Sequence, residues 1–173
     1  LCTNSSGSNC EPGEAFNGEG VHVPGLEFSL GTAFAAAAGW QMPLQVVYTW
    51  MDAEFQTDFD SSFFGEVSKG DPVPYVPESQ LWVSLGLERG AWSFFLSGNH
   101  LGSVCTEASC GDFEETESAT LFDLSAHYRI SDALELYGVV ENLTDELYIA
   151  GRTPYGARPN KPQTFMLGAK FGF

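Results

Sequence analysis

Apolar and polar side chains alternate residue by residue along seven stretches of this chain, the pattern of β-strands with two unlike faces. In the first, Leu26, Phe28, Leu30 and Phe34 share one face, opposite Glu27, Ser29, Gly31 and Ala33. The second is expected over residues 44–55, with Leu44, Val46, Tyr48 and Trp50 together. Residues 80–88 place Leu81, Val83, Leu85 and Leu87 opposite Gln80, Trp82, Ser84, Gly86 and Glu88. A fourth stretch begins at Ala91, with Trp92, Phe94 and Leu96 on one side and Ser93, Phe95, Ser97 and Asn99 on the other. The fifth sets Phe122, Leu124, Ala126, Tyr128 and Ile130 against Asp123, Ser125, His127 and Arg129. The sixth, from Leu134 to about Val140, sets Leu134, Leu136 and Val140 against Glu135, Tyr137 and Glu141. The seventh runs from Thr164 to the end, with Phe165, Leu167, Phe171 and Phe173 opposite Met166, Gly168, Lys170 and Gly172. No apolar run approaches the roughly 20 residues of a membrane-spanning helix. The best, residues 33–40, is short and contains a Gly. An all-β antiparallel meander of about seven strands is the expected fold.

The connections alternate in length. Tight turns are expected near Ala37-Ala38-Gly39-Trp40, at Arg89-Gly90 and at Ser131-Asp132. Residues 56–79, 101–118 and 148–163 are long connections, and residues 1–24 share their polar, Gly-rich character. Two architectures suit two-faced strands. In a soluble sandwich the apolar face is the core; in a membrane barrel it meets lipid and the polar face lines the lumen. Alternating short and long connections, and Trp, Tyr and Phe near the strand ends, favour the barrel. Charge fits this reading. The chain carries 23 acidic and 7 basic side chains, net −16, yet only 17% of its residues are charged. Much of the acidity lies in the long connections, in residues 52–60 and 107–117, as expected of an exposed rim above lipid-facing strands. So few basic residues argue against a nucleic-acid partner, and 43% apolar content argues against disorder. The sequence begins with Leu1, without a basic start and apolar stretch, so a removed leader or a fragment of a longer chain is expected.

The four cysteines form two local pairs in polar stretches. Four cysteines allow three connectivities. The short spacings favour Cys2–Cys10 and Cys105–Cys110, each closing a small loop in an oxidising compartment. A zinc site is the alternative. It lacks a Cys-x-x-Cys pair, and His22, His100 and His127 lie far from the cysteines in sequence.

Three motifs carry a resemblance. The terminal strand, with Gly168, Phe171 and a final Phe173, resembles the assembly signal of outer-membrane barrels, although Met166 stands where a polar residue is usual. Upstream, Glu141-Asn142-Leu143-Thr144-Asp145-Glu146-Leu147-Tyr148 resembles the Asn-Leu-Phe-Asp-x-x-Tyr motif of TonB-dependent outer-membrane receptors. Asn142, Leu143, Asp145 and Tyr148 match it, and Thr144 replaces Phe. Residues 151–163, with Gly156-Ala157-Arg158-Pro159 and Pro162, and residues 71–81, with Asp71-Pro72-Val73-Pro74-Tyr75, resemble the subgroup related to ferric-dicitrate receptors. Gln163 stands where that subgroup often has Arg.

The resemblance implies a 22-stranded barrel in the bacterial outer membrane, plugged by an N-terminal domain. Residues 1–173 would be its C-terminal third, without the plug, since seven strands leave two open edges and an odd count cannot close a single-chain bacterial barrel. It implies TonB-coupled import of a ferric chelate, with TonB engaged through the missing N-terminal part. Lipid, lipopolysaccharide and the barrel-assembly machinery, the last through the terminal strand, are the other implied partners.

No catalytic or metal-binding motif appears: Gly-x-Ser-x-Gly and His-Glu-x-x-His are absent, and the acidic run 112–117 lacks the spacing of a helix–loop–helix Ca²⁺ site. No resident cofactor is expected; Ca²⁺ on the acidic loops is the one candidate ion. Of seven basic residues, Arg152, Arg158 and Lys161 fall within ten positions of the last long connection. Cationic donors suit an anionic ferric chelate, and equally lipopolysaccharide phosphates or neighbouring acids. The polar-face residues Glu27, Glu88, Asp123, His127, Arg129, Glu141 and Lys170 are expected to form an internal polar network. Two other readings stay open: a small autonomous outer-membrane barrel or adhesin, and a soluble secreted sandwich binding glycans through loop aromatics.

Overall fold

A computed structural model describes residues 20–61, 65–111, 113–152 and 156–172. Seven long strands form one sheet: β1 Gly25–Ala35, β2 Gln41–Met51, β3 Ser79–Arg89, β4 Trp92–Leu101, β5 Ala119–Ser131, β6 Leu134–Glu141 and β7 Thr164–Phe171. Each pairs antiparallel with its neighbours in sequence, so the sheet is a simple meander with β1 and β7 at its edges. The seven expected strands are all present. The second differs in its limits, starting at Gln41 and ending at Met51. Beyond it the Asp52 N–H donates to the Pro24 carbonyl at 2.9 Å, which turns the chain away from β3. Glu54–Phe55 then pairs with Val21–His22. The β1–β2 connection is a single 3-10 turn, Ala37–Gly39, with Ala38 and Gly39 at φ 59° and 78°.

The register fixes what the alternation implies. Leu30, Val46, Val83, Gly98 and Phe122 lie in one row across β1–β5. Leu44, Leu85, Leu96, Leu124, Val140 and Phe165 form another across β2–β7. The same face carries Trp92, Phe94 and Tyr128 near the tight turns. It is uncovered: Leu85 is 40% exposed, Leu96 43%, Phe165 70% and Leu167 92%. Soluble proteins seldom leave so continuous an apolar surface in water. On the opposite face stand Glu27, Gln45, Ser84, Ser97, Asp123 and Ser125, interrupted by Trp82, Phe95 and Tyr137.

Burial is displaced to the long connections. Among the described residues, Ala119 is the one buried apolar side chain of the seven strands. The others are Ala53, Phe55, Val67, Val104 and Ala108, all beyond the long-loop end of the sheet. Phe55, Val67 and Ala108 form a small core with Phe59 and Val73 around it, and the Phe55 and Phe59 rings meet edge-on at 5.2 Å. The long connections are thus folded. Phe59–Ser61 pairs with Gly65–Val67, and Ile149–Gly151 with Arg158–Pro159. Among the described residues no helix is long and apolar enough to cross a membrane.

Candidate functional site

Three long connections converge on Tyr75. Its backbone lies in the left-handed region at φ 62°, and its N–H donates to the Cys105 carbonyl at 2.8 Å. Cys105 is disulfide-bonded to Cys110, as the spacing suggested. The 104–116 segment closes on itself: Thr116 N–H donates to the Val104 carbonyl and Thr106 N–H to that of Glu114. The Glu114 carboxylate accepts from the Ser109 hydroxyl at 2.7 Å and the Gly111 N–H at 2.8 Å. These donors, Ser109 foremost, hold the exposed carboxyl below the ordinary range. Its oxygens therefore close the loop. Among the described residues no group of three or more His, Cys, Asp or Glu is placed to hold a metal ion.

Two of the three basic residues singled out in the last connection meet at this point. The Arg152 N–H reaches the Tyr75 hydroxyl at 3.4 Å, and its Nε donates to the Glu115 carbonyl at 3.2 Å. Arg158 lies across Gly151, where a Cβ would stand 3.2 Å from Nη2 and 3.7 Å from the Tyr75 ring. Gly151 is buried beneath them. Two guanidinium groups, a half-exposed phenol and the 104–116 loop therefore share one patch, whose positive, forked donors suit an anionic solute. Lys161 is placed elsewhere and pairs with Glu141 at the end of β6.

The Asn142 motif is a structural lock. Asn142 is 3% exposed at φ 52°. Its Nδ2 donates to the Glu146 and Lys161 carbonyls at 2.9 and 3.1 Å, and its Oδ1 accepts the Glu146 N–H at 2.9 Å. Its own N–H donates to Asp123 Oδ1 at 2.8 Å. Leu143 N–H reaches the Phe122 carbonyl, and Asp145 Oδ1 accepts the Gln163 N–H at 3.2 Å. Tyr148 is held through Asn160, whose Oδ1 accepts its N–H at 3.0 Å. The lock thus joins β5, β6 and the approach to β7. Asp123 and Glu141 of the expected polar network act here, while His127 bonds Glu135 at 3.1 Å near the tight turns.

In β7, Gly168 lies opposite Tyr137, whose ring covers it so closely that a Cβ would fall 2.3 Å from Cζ. Phe171 projects from the apolar face, 68% exposed. Phe173, Cys2 and Cys10 lie outside the described residues. Tyr75 and Gln163 entered the sequence reading only as motif positions, and Asn160 was not singled out. Asn160 stands between two prolines, a turn signal that could have drawn attention to it.

The sequence profile of the TonB dependent receptor-like β-barrel family matches residues 3–143, and the chain belongs to this family. No curated protein sequence matches. Among solved structures it is similar to the siderophore receptor PiuA from Acinetobacter baumannii, at 18% identity and TM-score 0.68, over 90% of this chain and 22% of that one. It is similar to the ferric yersiniabactin uptake receptor FyuA from Yersinia pestis, at 19% identity and TM-score 0.65, over 87% and 24%. The ferric citrate transporter FecA aligns at 15% identity and TM-score 0.62, over 87% and 29%. The chain therefore spans about a quarter of the length of these structures, and the likeness is one of fold.

Proposed function

We propose that the chain is part of the barrel wall of a receptor in the bacterial outer membrane that imports an iron chelate with energy delivered through TonB. The observation that carries this reading is the uncovered apolar face of a seven-stranded sheet; among the described residues the core sits in the loops at one end. A soluble sandwich would need that face covered. An open sheet would also leave the free edges of β1 and β7 unpaired in lipid, which is expensive. Further strands from the rest of the protein would close it. These seven are the C-terminal third of a 22-stranded barrel, with a plug domain outside this chain. The lumen receives the mixed face and the outer leaflet's lipopolysaccharide surrounds the long-loop end. The assembly machinery reads β7 through Gly168, Phe171 and Phe173.

Arg152 and Arg158 contact the chelate beside Tyr75, while Lys161, paired with Glu141, is the third cation of the same connection. Ferric citrate is the proposed cargo, on the Gly156-Ala157-Arg158-Pro159 resemblance and the three cations. The reading is tested by iron uptake in iron-starved cells carrying the full-length protein or none. Uptake of ferric citrate that needs the protein and collapses without TonB supports it. The triple replacement R152Q, R158Q and K161Q should lower uptake about tenfold at normal surface level, given charged hydrogen bonds of this strength. Unchanged uptake would remove that connection from the ligand site. Uptake of a ferric catecholate or hydroxamate instead would overturn the citrate assignment alone.

A further inference from the structure

Arg89 ends β3, and its register with Trp92 places it on the apolar face. Within the seven strands as described, it is the one permanently charged residue of that face. The guanidinium lies over the Trp40 ring, 5.9 Å from its centroid, and no carboxylate among the described residues pairs with it. Trp40 packs 6.4 Å from Phe94. Phe94 stacks on Trp92 at 5.8 Å, and Trp92 meets Tyr128 at 4.3 Å. Immediately along the strand lie the exposed Leu87 and Leu85, with Leu96 beside them.

We propose that Arg89 and Trp40 form a headgroup site for a glycerophospholipid in the leaflet at the tight-turn end of the sheet. The inference rests on the membrane-barrel reading above. From Leu81 to Arg89 the strand advances about 27 Å, or roughly 20 Å along the membrane normal at the usual tilt. Arg89 therefore stands at the rim of the hydrocarbon, among indole and phenol rings of the kind that favour that boundary. The guanidinium there pairs with no carboxylate among the described residues. Its forked donors match a phosphodiester, and Trp40 holds its plane in place. The leucine strip continuing from it accepts acyl chains. A free phosphate would use the charge and leave the strip idle, so charge and apolar surface together specify a lipid.

The test is native mass spectrometry of the full-length protein in mild detergent with added phosphatidylglycerol. R89Q should retain roughly fivefold less lipid than the wild type, R89K about twofold less, and W40L about twofold less, since charge, fork and stacking each contribute. Free glycerol phosphate at equal concentration should displace none. Equal retention by R89Q, or displacement by glycerol phosphate, overturns the site. If R89Q does not fold, R89K decides: retention equal to wild type overturns the site. Heat-modifiable gel mobility on the same samples separates the two readings. A shifting wild type with unselective lipid retention removes only this site, whereas a wild type that neither shifts nor enters micelles removes the barrel.

Discussion

Asn142 meets two requirements that few side chains combine. Its backbone is at φ 52°, a region that Asn and Asp tolerate better than other non-glycine residues. Its amide also satisfies two carbonyls and one N–H from two segments. Asn142→Ala removes all three bonds at a buried position and keeps the backbone penalty, so a loss of about 2–4 kcal/mol is expected. The denaturant midpoint of the folded barrel would measure it, and a change within about 0.5 kcal/mol would show the lock to be dispensable. Gly168 makes a different demand: the Tyr137 ring occupies the space of its missing Cβ. Gly168→Ala should destabilise the wild type more than a Tyr137→Ala background. Equal effects in the two backgrounds would mean that ring and glycine are not coupled. The Asn142 motif was visible in the sequence as a resemblance. Its action was not, because its partners Asp123, Lys161 and Gln163 lie some twenty residues away and only the register brings them in.

The strands were legible because each carries at least four alternating positions. The misplaced end of β2 has a local cause: after Trp50 the apolar positions change phase, Asp52 and Glu54 falling where apolar residues had stood, and Glu54 and Phe55 pair with His22 and Val21. The folded interior of the long connections was not legible. Its strands are two or three residues long, too short for a period to show, and Phe55, Val67 and Ala108 come from separate segments. The Cys105–Cys110 bridge could be read from spacing, but its use as a brace for Tyr75 depends on one backbone hydrogen bond. Closing so short a ring contributes about 2 kcal/mol by loop entropy. Reduction should therefore speed hydrogen exchange at the Tyr75 and Thr106 amides while leaving β3 to β6 protected. Uniform loss of protection across the sheet would contradict a local brace.

At the scale of the whole molecule, the described residues build no core on the apolar face of the sheet, and the charge is gathered at one end. The net −16 is mostly that of the long connections; the apolar face of the strands carries Arg89 alone. Both features follow if lipid is the missing layer. Fluorophores attached at single cysteines in place of Val83, Ser84 and Leu85 would decide it, with the full-length protein in vesicles of brominated lipid. Strong quenching at 83 and 85 and weak quenching at 84 is expected, since alternate side chains of β3 face opposite ways. Weak quenching at all three positions, in protein that remains in the aqueous phase, would contradict a lipid-facing barrel wall.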